Sequence, residues 1–163
     1  MIYVFLKYLM RVALNSYFKV IKVSGQENIP KEGPILFVSN HPSTLMDPIV
    51  IGVFVKHEIY FLAAAEFMGK GIQKILMEKW FNMIPIYRAS TQPKKTSNNK
   101  NVFEKCYGHL KSKGSILIFP EGTSVTQKRL LPVKTGAAIM VIGAELDGSP
   151  QVQIVPIGLN YSD

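Results

Sequence analysis

An imidazole and a carboxylate stand six positions apart in Ser39-Asn40-His41-Pro42-Ser43-Thr44-Leu45-Met46-Asp47-Pro48, directly after an apolar run. On a regular helix that spacing leaves them about 120° apart around the axis and roughly 9 Å along it. They meet only if the backbone turns between them, and the prolines favour a turn. Pro42 disfavours helix at His41, and Asp47-Pro48 suits a helix N-cap followed by its first helical residue. Two readings stay open. In one, Asp47 accepts a hydrogen bond from one ring nitrogen and leaves the other free as a general base. In the other, Asp47 caps a helix and His41 is an ordinary turn residue.

Three further segments carry chemistry-bearing groups. In Ile116-Leu117-Ile118-Phe119-Pro120-Glu121-Gly122-Thr123-Ser124 a strand runs into a polar turn. Glu121 there could be catalytic, a ligand for a substrate hydroxyl, or a turn carboxylate tied to backbone N–H groups. Asn82-Met83-Ile84-Pro85-Ile86-Tyr87-Arg88 delivers Arg88 at the end of a short strand. An arginine so placed grips a phosphate through paired N–H bonds, or is merely a solvated charge. Leu131-Pro132-Val133-Lys134-Thr135-Gly136 opens a helix with Lys134 beside it, and helix N-termini favour anions. A base, a carboxylate, an arginine and a lysine at such positions suit proton abstraction from a hydroxyl of a phosphorylated small molecule.

The elements that must position these groups alternate. Strands are expected at Val20–Val23, Ile35–Ser39, Ile59–Ala64, Met83–Tyr87, Ile116–Phe119 and Val152–Ile157. Helices are expected at Pro48–Lys56, Lys70–Trp80, Asn101–Lys111 and Gly136–Glu145, with a loop over Ala89–Lys100. Pro85 suggests an edge or irregular position for its strand. The alternation indicates an α/β fold: a central, mostly parallel or mixed sheet flanked by helices. Ligand clefts in such sheets lie at the carboxyl ends of the strands, where His41, Arg88 and Glu121 fall.

Residues 2–19 form an N-terminal amphipathic segment with Lys7, Arg11, Asn15 and Lys19 on one drifting polar stripe. At about 27 Å it is marginal for crossing a bilayer, and each central cation would cost about 2.5–3.5 kcal/mol there. An orientation in the membrane interface costs less. The expected organisation is a membrane-associating helix over 1–19 and a catalytic domain over 20–163. The last strand ends near the final residue, which suits a piece of a longer protein.

The 163 residues are 47% apolar and 18% charged, with mean hydropathy +0.14. Those values exclude a disordered or collagen-like chain. One cysteine, Cys106, excludes an internal disulfide framework and fits a reducing compartment. The net charge of +8 suits anionic lipid or phosphorylated substrates. The basic residues are scattered, without the aromatic interleaving or helix-turn-helix pattern of a nucleic-acid binder, so no nucleic-acid partner is expected. His57 and His109 lack partners at metal-ligand spacing, so no metal site is expected either.

Taken together, these segments resemble the lysophospholipid and glycerol-phosphate acyltransferase family. Asn40-His41…Asp47 looks like its histidine–aspartate motif and Ile84–Arg88 like its phosphate-binding motif. Phe119-Pro120-Glu121-Gly122-Thr123 and Ile154-Val155-Pro156-Ile157-Gly158-Leu159-Asn160-Tyr161 are similar to its third and fourth. Five residues, not the usual four, separate His41 from Asp47, which resembles the longer-spaced glycerol-3-phosphate acyltransferase subgroup. Ser124 stands where arginine is more common. The resemblance implies direct acyl transfer from acyl-CoA or acyl-carrier protein, as co-substrate and without a cofactor, to a hydroxyl of glycerol-3-phosphate or 1-acylglycerol-3-phosphate. It implies His41 as base, Asp47 as its orienting partner, and a substrate-binding set of Arg88, Glu121, Gly122, Thr123 and Lys134. Backbone N–H groups near Gly122 or in the His41 turn are the expected oxyanion donors. Membrane lipids are the expected surroundings, at the cytoplasmic face. A non-catalytic lipid-binding protein of the same fold is the alternative.

Overall fold

Ile35, Leu36 and Phe37 are fully buried, and so are Ile116 and Leu117. Uninterrupted apolar runs of this kind belong to strands covered on both faces, which is the signature of a parallel sheet. The computed structural model describes residues 2–88, 91–126 and 129–162. Among them, β1 (Ile35–Ser39), β2 (Ile59–Ala64), β3 (Met83–Ile86), β4 (Ser115–Ile118) and β5 (Gln153–Ile157) form one sheet in the order β3-β2-β4-β1-β5. Every pairing is parallel. The two strand prolines, Pro85 and Pro156, lie on the edge strands β3 and β5, where a missing N–H costs least.

Helices α1 (Ile2–Tyr17), α2 (Met46–Phe54), α3 (Ile72–Trp80), α4 (Asn99–Lys111) and α5 (Gly136–Leu146) complete the fold. One core packs Leu36, Ile116 and Ile118 under Val102, Cys106 and Leu110 of α4 and Met140 and Ala144 of α5. The opposite face packs Ile35, Phe37 and Leu117 against Ile51 of α2 and Val55 just beyond it. The strand expected at Val20–Val23 does not form; those residues are irregular and mostly exposed. The expected loop after Arg88 includes a 3-10 helix at Pro93–Asn98 that leads directly into α4, while Ala89 and Ser90 lie outside the described residues.

Two residues of the polar stripe, Lys7 and Arg11, reach across to α2, while Asn15 and Lys19 are exposed. Lys7 donates to the Val55 carbonyl and Arg11 to the Val53 carbonyl at 3.3 Å, so both cations cap the carboxyl end of α2. Tyr3 joins them by accepting from the Ile59 N–H at 3.2 Å. Val4, Phe5, Tyr8, Leu9 and Val12 are left outward and exposed. No helix among the described residues is long and apolar enough to cross a membrane.

Candidate active site

Parallel register brings three strand ends together. Val38 pairs with Ile118 on one side and with Pro156 on the other, so the chain leaves β1, β4 and β5 on the same side of the sheet. His41 follows β1, Glu121 follows β4 and Tyr161 follows β5. Asn40 fastens the first of these ends to the third. Its amide donates to the Leu159 carbonyl at 2.8 Å and accepts from the Leu159 N–H at 2.7 Å.

The turn after His41 folds back, and His41 Nδ1 lies 2.7 Å from Asp47 Oδ2. Asp47 is fully buried. The same Oδ2 accepts the Ser43 N–H at 2.7 Å, and Oδ1 accepts the Tyr161 hydroxyl at 2.8 Å. An ionised carboxylate only accepts, so Nδ1 carries the proton and Nε2 keeps a free lone pair. Of the two readings left open for Asp47, the helix cap is not the one observed. Leu45 is the N-cap, the helix begins at Met46, and the carboxylate turns to the imidazole. Phe119 stacks beneath the ring, centroids 3.9 Å apart at 12°, and fixes its plane.

Glu121 is buried, and its Oε1 accepts the His41 N–H at 3.3 Å. Of the three readings left open for it, the tie to a backbone N–H is the one observed. The two turns are laced further: Val125 N–H donates to the His41 carbonyl at 3.3 Å, and Thr44 Oγ1 donates to Ser124 Oγ at 3.0 Å. Ser124 thus joins loop to loop at the position where arginine is more common in the resembled family.

Gly122 has φ +68, a left-handed conformation that side chains resist. A β-carbon there would also come within 2.5 Å of Lys134 Nζ, so the lysine side chain overlies this glycine. The Lys134 N–H donates to the Pro120 carbonyl at 2.9 Å, which holds the helix α5 approach against the turn. Thr123 is exposed on the same turn. Of the expected oxyanion donors, two N–H groups are engaged: Gly122 N–H donates to the Phe119 carbonyl at 3.0 Å and His41 N–H to Glu121. The Lys134 ammonium is a charged donor beside that turn.

His41, Asp47, Glu121, Gly122 and Lys134 therefore form one cluster. Arg88 stands apart from it. It follows β3, three strand spacings or about 14 Å from β1. Its guanidinium lies 3.6 Å from Glu66 Oε1 and over the Phe67 ring, just past the end of β2. No three His, Cys, Asp or Glu side chains among the described residues converge as a metal site. Tyr161, Asn40 and Phe119 were not among the expected site residues. All three lie within the motif stretches, and that membership is the signal the sequence carried.

The model of the Acyltransferase family matches residues 20–160. Among curated proteins, glycerol-3-phosphate O-acyltransferase 2 of Saccharomyces cerevisiae is 45% identical over 65 residues, 39% of this chain and 9% of that protein. A probable 1-acyl-sn-glycerol-3-phosphate acyltransferase of Mycoplasma pneumoniae is 30% identical over 132 residues, 77% of this chain and 47% of the relative. The matches thus span less than half the length of these relatives. Among solved structures, the 1-acyl-sn-glycerophosphate acyltransferase PlsC of Thermotoga maritima superposes with TM-score 0.66 at 22% identity, over 94% of this chain and 55% of that one.

Proposed function

The chain belongs to the acyltransferase family, and on that premise we propose that it moves a fatty acyl group from a thioester to a glycerol-phosphate hydroxyl in phospholipid synthesis. The acceptor would be glycerol-3-phosphate or 1-acylglycerol-3-phosphate, and the donor acyl-CoA or acyl-carrier protein. One observation carries the reading: the 2.7 Å contact of His41 with a wholly buried carboxylate, beside a cationic turn. In the proposed reaction His41 Nε2 takes the hydroxyl proton as the oxygen attacks the thioester carbonyl. Asp47 stabilises the imidazolium and holds its tautomer. Collapse of the tetrahedral adduct breaks the C–S bond, and the imidazolium returns the proton to the leaving thiolate. The substrate supplies the nucleophile, so Ser43 and Cys106 have no covalent role. Cys106 fits that assignment, being fully buried with its thiol pushed up to about 12 by burial.

Lys134 and Arg88 are the proposed partners of the acceptor phosphate, with Glu121, Gly122 and Thr123 on the turn that Lys134 overlies. We also propose that the protein works at the cytoplasmic face of a membrane. The outward apolar face of α1 and the net charge of +8, which suits an anionic leaflet, support this.

The test is release of free thiol by purified protein given acyl-CoA and each acceptor in turn, with the ester product identified by mass spectrometry. Turnover is expected with at least one acceptor, and His41→Ala should lower it by about 10²–10⁴-fold. Absence of thiol release with every acceptor would leave a lipid-binding protein of the same fold. Unchanged turnover in the His41 variant would remove the base assignment.

A further inference from the structure

Three donors converge on the Asp47 carboxylate, and two of them are local. His41 and Ser43 both address Oδ2 from the turn that precedes α2. Oδ1 has a different partner, the Tyr161 hydroxyl, which reaches it at 2.8 Å from 114 residues further along the chain. Without that bond the fully buried Oδ1 would lack this partner, and the carboxylate would be freer to rotate away from the imidazole.

We infer that Tyr161 is a positioning residue for the His41–Asp47 pair, holding Oδ1 so that Oδ2 stays aimed at Nδ1. Tyr161 does not act on the substrate itself; it acts through Asp47. Its own placement is secured twice. The Asn40 bonds to Leu159 fix the backbone two residues before it. Phe18, just beyond α1, stacks on its ring with centroids 6.0 Å apart at 26°. Burial, the hydrogen bond to Asp47 and that group's charge together push the phenol above the ordinary tyrosine range, so it remains a donor at neutral pH.

The groups around His41 separate this effect from its alternatives. Asp47 faces the ring from α2, Phe119 lies beneath it, Glu121 meets its backbone N–H and Lys134 overlies Gly122 of the next turn. Tyr161→Phe alters none of these. It keeps the ring against Phe18 and removes only the hydroxyl. With that anchor gone, Oδ2 is no longer held on Nδ1, and the imidazolium loses part of its stabilisation.

The inference rests on the acyltransfer reading, and two measurements keep the failures distinct. In the active enzyme, Tyr161→Phe should lower kcat about ten- to hundredfold. Both KM values should stay nearly fixed, and the acid limb of the pH–rate profile should move to lower pH. Independently of turnover, the proton shared by His41 Nδ1 and Asp47 should move upfield in the proton NMR spectrum of the variant; its assignment is checked by its loss in His41→Ala. An unmoved resonance, or an unmoved acid limb with full kcat, overturns the role of Tyr161. An inactive wild type whose variant still shows the shifted proton leaves Tyr161 in place and overturns the acyltransfer reading alone.

Discussion

At the scale of single residues, burial separates the groups that must stay still from the ones that can be exchanged. Asp47 is fully enclosed and accepts three hydrogen bonds, which is the condition under which a buried carboxylate is tolerated. Arg88 and Glu66 are each about a third to a quarter exposed and 3.6 Å apart. A pair so placed contributes about 0–1 kcal/mol, less than a bidentate arginine–phosphate contact offers, so an incoming phosphate can replace Glu66. Arg88→Ala should therefore raise the acceptor KM at least about tenfold while the donor KM changes little. Equal changes in both constants would remove Arg88 from the phosphate site and leave that work to Lys134. The bend between His41 and Asp47 was legible in the two prolines of a short stretch, while the choice of pairing over a helix cap came from the resemblance. The Tyr161 contact was not, because spacing speaks only for neighbours and this partner arrives through sheet register.

At the scale of elements, α1 shows why a correct helix assignment leaves its orientation open. The sequence marks Lys7 and Arg11 as a polar stripe, and a free helix would turn that stripe to water. Here the stripe meets the carboxyl end of α2, where each cation is worth about 0.3–1 kcal/mol against exposed carbonyls. Burial and the neighbouring Arg11 pull Lys7 below the ordinary lysine value, as expected of a cation drawn into a contact. What remains outside is Val4, Phe5, Tyr8, Leu9 and Val12. If that face meets lipid, replacing Phe5 and Leu9 together by glutamate should weaken flotation with anionic vesicles by at least about tenfold, since each apolar side chain contributes about 1.5–3 kcal/mol when buried. The thermal midpoint should hold, because the inward contacts of Tyr3, Lys7 and Arg11 are untouched. Undiminished flotation would place attachment elsewhere. Terminal strands are harder to read than helices: the apolar residues of Val20–Val23 suggested one, but no strand among the described residues pairs with them.

Across the whole molecule, the sheet divides the two ends of the fold by function. The alternation of apolar runs and helical stretches was enough to read an α/β fold, and all pairings proved parallel. Strand order was beyond reach of the pattern, so nothing in the sequence placed Arg88 three strands from His41. At the end of the sheet away from the candidate site, charge is the weakness. His109, in the last turn of α4, packs its ring 4.0 Å from that of Tyr60, and its Nε2 is buried without a hydrogen-bond partner among the described residues. Burial lowers its pKa below the ordinary 6.5, and a backbone hydrogen bond at Ser115 and the Glu58 carboxylate only partly oppose this. The unfolded chain therefore takes up the proton first. Above pH 6.5 the group is neutral in both states and stability is indifferent to it. As the pH falls from 6.5 through the lowered folded value, the unfolded state gains a proton that the native state resists, and stability declines. His109→Phe keeps a ring against Tyr60 and has nothing to protonate. Its unfolding midpoint in urea should accordingly fall less between pH 7.5 and 5.5 than that of the wild type. Parallel curves for the two proteins would show that His109 takes its proton as readily folded as unfolded, and that the acid sensitivity of this core comes from elsewhere.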